Sequence, residues 1–237
     1  MILHDILFLI VLFLANTIQT ITGFAGNLLA MPPSLLLEGY ETSVTVLNVF
    51  TLTACGWIAY KNRAFIQWKI LFKMLSLMLF GMGFGIFVLS KFDLKILLYV
   101  YGGTIILIAL QNLCFKKEPN FPIWLQYTAL LLSGIFHGIF VSGGALLVVY
   151  AVKALPEKQI FRATVSPVWV VLGLLLIWRH HQSGYYTLRN MQLIGISMIP
   201  LVLSIIIGNY LYNLINQQLF RKITYILVLV AGIIIFI

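Results

Sequence analysis

An all-α polytopic membrane protein, built as two inverted repeats of about five apolar segments each, is predicted by three observations. The first is composition. Of 237 residues, 62% are hydrophobic and only 9% are charged, with a mean hydropathy of +1.05. A soluble domain carries about 25% charged residues and uses them to wet its surface. The second is segmentation, because apolar runs recur along the chain at lengths near the roughly 20 residues that a spanning helix takes. The third is a repeat, since the halves superimpose at a constant offset of 118 residues. These features exclude a secreted disulfide scaffold, a cytosolic enzyme and a nucleic-acid binder. The net charge of +9 then reads as Lys and Arg held in cytoplasmic loops, where they fix orientation.

Charge clusters, Gly and Pro cut the chain into ten apolar segments, of which 8–10 enter or cross the membrane. Ile2–Thr22 comes first and lacks the basic start of a cleaved signal, so it is expected to be retained. Phe24–Leu37 follows, then Thr42–Tyr60, Ile70–Leu89 and Leu94–Phe115. These make a first repeat over residues 1–115, and the polar stretch 116–122 links it to a second repeat over 123–237. The second repeat holds Ile123–Phe140, Ser142–Leu155, Lys158–Trp178, Leu188–Tyr212 and Leu219–Ile237. In each repeat the second segment is short, at 14 residues, and begins at a glycine break: Gly23-Phe-Ala-Gly26 in one, Ser142-Gly-Gly144 in the other. The offset pairs Gly26 with Gly144, Gln19 with His137, and Asn48 with Ser166. Cys55 and Cys114 lie apart in apolar runs and suggest neither a metal nor a disulfide.

Basic residues decide the topology. If each short segment pairs with its predecessor, the repeats are inverted and Lys and Arg divide 11 to 4 between the two sides. If each short segment only continues its predecessor, the repeats are parallel and the division is 8 to 7. Orientation follows a basic-residue bias, so the inverted arrangement is preferred, with both termini outside.

Inverted repeats with short, Gly-interrupted segments in matching positions point to a secondary transporter whose site lies near the midplane. The physical reason is that a helix restarting inside the membrane presents free N–H groups, and the positive end of its dipole, to an anion. Gly23, Gly26, Gly143 and Gly144 are the residues that permit the two restarts. Gly85, Gly102 and Gly173 stand alone in long segments and read as helix-packing residues.

The two breaks also carry a resemblance. The stretch Gly23-Phe-Ala-Gly26-Asn-Leu-Leu-Ala-Met-Pro32, with Gly134-Ile-Phe-His137-Gly-Ile-Phe-Val-Ser-Gly143-Gly144-Ala-Leu, resembles the two repeat motifs of the sulfite exporter TauE/SafE family. Phe161-Arg-Ala-Thr-Val-Ser166 and the following Trp169 are similar to that family's second-half continuation. The chain departs from the pattern at Asn27, where a further glycine is usual. The resemblance implies a bacterial inner-membrane permease for sulfur-containing or organic anions, commonly an exporter.

Polar residues inside the segments supply the candidate substrate site. All six Asp and Glu sit at segment ends or in loops, which argues against a carboxylate sodium site or proton relay. His137 is the one ionisable side chain well inside a segment, and it directly precedes the second break as Gln19 precedes the first. It either donates to an anion or bridges helices as a neutral ring. Thr20, Thr22 and Asn27 flank the first break and Ser142 the second; an oxyanion stripped of water needs such donors. Asn48 and Ser166 are candidates to face the same cavity. Arg162 either grips a sulfonate or carboxylate through two N–H bonds or anchors at the headgroups. Trp169 either walls the cavity or packs. Trp57, Tyr60, Trp68, Trp124 and Trp178 cluster at segment ends as interface belts. His180 and His181 read as a surface pair, because the loop offers no further metal ligands.

These expectations combine into an alternating-access permease, not an enzyme, that exports a small anion such as sulfite or a sulfonate without cofactor or metal. Moving one negative charge outward releases about 2.3 kcal/mol per 100 mV, which favours export without a coupling cation, while proton coupling through His137 or a protonated substrate stays open. Its partners are the anion and the lipid bilayer, and homo-oligomerisation stays open. An anion channel, or an accessory subunit of a larger membrane complex, are the rival readings.

Overall fold

The computed structural model describes residues 2–93, 95–100, 102–104, 106, 122–220, 222–223 and 226. Cys114, Arg221, most of the 94–115 and 219–237 segments and almost all of the 116–122 linker lie outside the described residues. Those that are described are helical apart from short turns. The named helices are α1 (Ile2–Thr22), α2 (Gly26–Lys61), α3 (Trp68–Leu89), α4 (Ile123–Phe140), α5 (Gly144–Ala154), α6 (Lys158–Gln182) and α7 (Leu188–Leu214). Six of them are long and apolar enough to cross a bilayer, α5 being the exception.

The helix ends repeat at the sequence offset of 118. Thr22 ends α1 and Phe140 ends α4, while Gly26 opens α2 and Gly144 opens α5. Gly23 and Val141, again 118 apart, take left-handed backbone with φ of 84° and 55°. Glycine tolerates this conformation, whereas a β-branched residue adopts it only under strain. Helix α2 bends at Gly39, where φ 76° and ψ 177° are not helical, so residues 26–38 form a short arm and 40–61 a spanning one. At 1.5 Å per residue the short arm reaches about 20 Å and α5 about 17 Å, well short of a 30 Å hydrocarbon core.

Contacts at the helix ends fix how the short pieces run. Arg189, opening α7, pairs with Asp5 at 3.4 Å and with Glu38 at 2.8 Å. The start of α1 and the end of the short arm therefore meet at one end of the bundle. Residues 40–61 then cross to the other end, where Lys73 Nζ donates to the Tyr127 hydroxyl at 3.2 Å and the Tyr127 and Tyr150 rings lie 6.2 Å apart. The start of α4 and the end of α5 meet there. Each short piece thus returns to the end its hairpin entered from, and the two hairpins enter from opposite ends.

Around these hairpins α2 and α6 are the most buried spanning helices, and α3 and α7 the least. Phe80, Phe84, Ile199 and Ile206 project from the latter two and form part of the lipid-facing surface. Trp57, Trp68, Trp124 and Trp178 are likewise exposed, as interface belts require. His180 departs from its expected surface position. Helix α6 runs on to Gln182, which turns His180 inward beneath Tyr185 with ring centres 5.5 Å apart. His181 stays exposed.

Helix α3 packs on α4 through glycines spaced four apart on each, Gly81 and Gly85 against Gly134 and Gly138. A Cβ built on Gly81 would stand 2.0 Å from the Leu131 carbonyl oxygen, and one on Gly134 would stand 2.1 Å from that of Met78. Small residues in this spacing let two backbones touch, which drives helix association in lipid. Gly81→Val is expected to cost about 1–3 kcal/mol or more by forcing the helices apart. It should lower the thermal unfolding midpoint in detergent, whereas Gly83→Val, with nothing within 4 Å among the described residues, should leave the midpoint unchanged.

Candidate functional site

The hairpin tips meet inside the bundle and bond to each other. Asn27 Nδ2 donates to the Val141 carbonyl at 2.8 Å, and Trp169 Nε1, from α6, donates to the Gly23 carbonyl at 2.9 Å. The contact is close because side chains are missing where the tips cross. A Cβ on Gly144 would lie 2.6 Å from the Phe24 carbonyl oxygen of the other tip, while one on Gly143 would lie 2.2 Å from that of Ser133 in its own hairpin. A narrow cavity of about 10 Å³, room for scarcely one water molecule, remains between the tips. Gln19, Phe24, Asn27 and Thr51 line it from the first repeat, and His137, Val141, Ser142, Gly143, Gly144 and Trp169 from the second.

Seven of the predicted site residues therefore gather around one cavity: Gln19, Asn27, His137, Ser142, Gly143, Gly144 and Trp169. The two breaks are finished differently. At the first, Gln19 Oε1 accepts the Gly26 N–H at 2.7 Å while its Nε2 donates to Cys55 Sγ at 3.1 Å. Thr22 Oγ1 accepts the N–H groups of Phe24 and Ala25 at 3.3 and 3.1 Å. The restart of α2 is thus capped by its own chain, which satisfies donors that a helix start leaves unpaired. At the second break the equivalents of Gln19 and Thr22 are His137 and Phe140. Phe140 offers no oxygen, and both nitrogens of the fully buried His137 are without a partner. The imidazole lies against the Trp169 indole with ring centres 5.0 Å apart.

The other predicted residues stand outside the cavity lining. Thr20 is buried against α7, where a Cβ on Gly208 would lie 2.6 Å from its own Cβ. Asn48 Nδ2 donates to the Gly173 carbonyl at 2.9 Å and ties α2 to α6. Ser166 Oγ donates to the Arg162 carbonyl at 2.8 Å. Arg162 is buried among the helices: its guanidinium lies 4.2 Å from the centre of the Tyr212 ring and donates to Asn209 Oδ1. Gly23 and Gly26 shape the first tip through their backbones.

Thr51 was not among the predicted residues. Its hydroxyl is buried at the cavity without a partner. The signal for it was present, because the repeat offset applied to Trp169 falls on Thr51, as it carries Ser142 onto Phe24. Among the described residues, no three His, Cys, Asp or Glu side chains stand together as a metal site would require.

Apolar spanning helices around two opposed re-entrant hairpins, with a polar cavity where their tips touch, define a multi-pass membrane protein of the permease type. A sequence model of the sulfite exporter TauE/SafE family matches residues 8–235, nearly the whole chain, and the protein belongs to that family. No curated protein and no solved structure matches it.

Asn48→Leu tests a tie behind the cavity. It removes the bond to Gly173 and should cost about 1–3 kcal/mol, read as a lower unfolding midpoint in detergent.

Proposed function

We propose that the protein is a secondary permease that exports a small sulfur-containing or organic anion, such as sulfite or a sulfonate, by alternating access. The observation that carries this reading is the meeting of two re-entrant tips at a cavity with unpartnered donors. A dehydrated anion needs hydrogen bonds to replace its water, and helix starts supply N–H groups together with a favourable dipole. Gln19, Asn27, Thr51, His137, Ser142, Gly143, Gly144 and Trp169 form the substrate cavity. Gly23, Gly26 and Thr22 hold the first tip in shape, while Thr20, Asn48, Arg162 and Ser166 brace the helices behind it. The tips bond directly across the centre, which favours a transporter over an open channel.

The protein acts in the bacterial inner membrane. Its basic residues divide 11 to 4 in favour of the end carrying Lys73, which is the cytoplasmic end by the positive-inside bias. The end carrying Arg189 and the chain termini then face outward. Export of an anion runs down a potential that is negative inside, so the transport step needs neither cofactor nor catalysis.

Reconstitution in liposomes with substrate-triggered current measurement tests the reading. The panel is sulfite, thiosulfate, sulfoacetate, a carboxylate and chloride. Saturating currents selective for sulfur oxyanions are expected, reduced about tenfold by His137→Ala, the worth of one good hydrogen bond. Large currents that rise linearly with concentration would instead identify a channel, and silence toward every anion would count against transport of this class.

A further inference from the structure

The two helix starts at the cavity have the same backbone and opposite accounts of their donors. At the start of α2, the N–H groups of Phe24, Ala25 and Gly26 all reach side-chain oxygens of Thr22 and Gln19. At the start of α5, Gly143 makes no side-chain cap, and His137, in the place of Gln19, takes no N–H. Two buried polar groups beside that start are also unpartnered, the His137 ring and the Thr51 hydroxyl. Buried polar atoms are normally hydrogen-bonded, and a cluster of exceptions calls for an explanation. Here both unpaired side chains line one cavity.

We infer that the permease is asymmetric and holds a single oxyanion head at the second break only. The N–H groups of Gly143, Gly144 and Ala145, the Thr51 hydroxyl and a ring N–H of His137 take its oxygens. Gln19 meanwhile fills the equivalent place at the first break as a built-in ligand. This rests on the permease reading and deepens it by giving the substrate class: a small anion with one charged head, the sulfite ion itself or the sulfonate end of a short organic acid. Phe24 and Trp169 wall the rest of the space. A two-headed anion gripped equally by both repeats finds no matching backbone donors at the first break, because Gln19 and Thr22 already take them.

The asymmetry yields a test in which a conservative replacement does more harm than a drastic one. His137→Gln places at the second break the carboxamide that caps the first, so its oxygen can reach the Gly144 N–H and exclude the anion. His137→Ala removes one donor and leaves the helix start open. Sulfite binding to the purified, detergent-solubilised full chain, measured by calorimetry, should show one site in the wild type. Affinity should fall about tenfold in His137→Ala and further still in His137→Gln. If the wild type binds sulfite and His137→Gln binds it as well as or better than His137→Ala, the asymmetry is wrong while the permease reading survives. If the wild type neither binds nor transports any anion of the panel, both are wrong.

Thr51→Val supplies a second reading should His137→Gln fail to fold. It removes an unpaired buried hydroxyl at constant shape, so the unfolding midpoint without anion should not fall. Sulfite affinity should drop about tenfold, as for the loss of one hydrogen bond. Unchanged affinity in this variant would overturn the proposed coordination.

Discussion

Irregular backbone inside a bilayer must find its hydrogen bonds within the protein, and the rest of this structure depends on how that demand is met at two places. No water waits in the hydrocarbon core, and each abandoned N–H or C=O there costs several kcal/mol. The first tip meets the demand locally through Gln19 and Thr22. The carbonyls of Gly23 and Val141 are satisfied from elsewhere, by Trp169 and Asn27. Asn27 joins one repeat to the other, and so does Trp169. The tips are therefore neighbours by necessity, and the spanning helices are the shell that keeps lipid away from them.

That shell is assembled by close contact rather than by expulsion of water. Glycine faces on α3 and α4 bring backbones together directly, and α3 and α7 turn aromatic and branched side chains to the lipid. Lipid tails are as apolar as Leu, so burial alone gives these helices little reason to associate. Shape and the few interhelical hydrogen bonds, such as Asn48 to Gly173, must do it instead. The end that carries the start of α1 is additionally tied by Arg189, whose two carboxylate partners come from both limbs of the first hairpin.

Much of the fold was legible in the sequence because its signals are coarse and redundant. Apolar runs and charge clusters place helix ends within a few residues, and the offset of 118 reappears in the helix ends themselves. Basic-residue bias favours the inverted arrangement that the end contacts of the two hairpins then display. The site was legible only in part, for a physical reason. A residue's position along a segment follows from counting, but the face it presents depends on helix rotation, which apolar residues on all sides leave undetermined. Gln19 and His137 were found because they adjoin the breaks. Asn48 and Ser166 adjoin the same region of the segments, yet Asn48 bonds to a neighbouring helix and Ser166 to its own. Thr51, one turn beyond Asn48, points inward. His180 was misjudged because the end of α6 lies beyond the charged cluster that punctuates the sequence.

The bend at Gly39 has a mechanical consequence. Among the described residues nothing lies within 4 Å of where its side chain would be, so no neighbour packs into the corner between the two limbs of α2. The next residue, Tyr40, donates its hydroxyl to the carbonyl of Ile139, close to the opposite tip. A lever is thereby fastened beside its own pivot: flexing the first repeat at residue 39 tugs the re-entrant loop of the second. Neither loop can be displaced far while the other stays still, unless this phenol and the Asn27 carboxamide both let go.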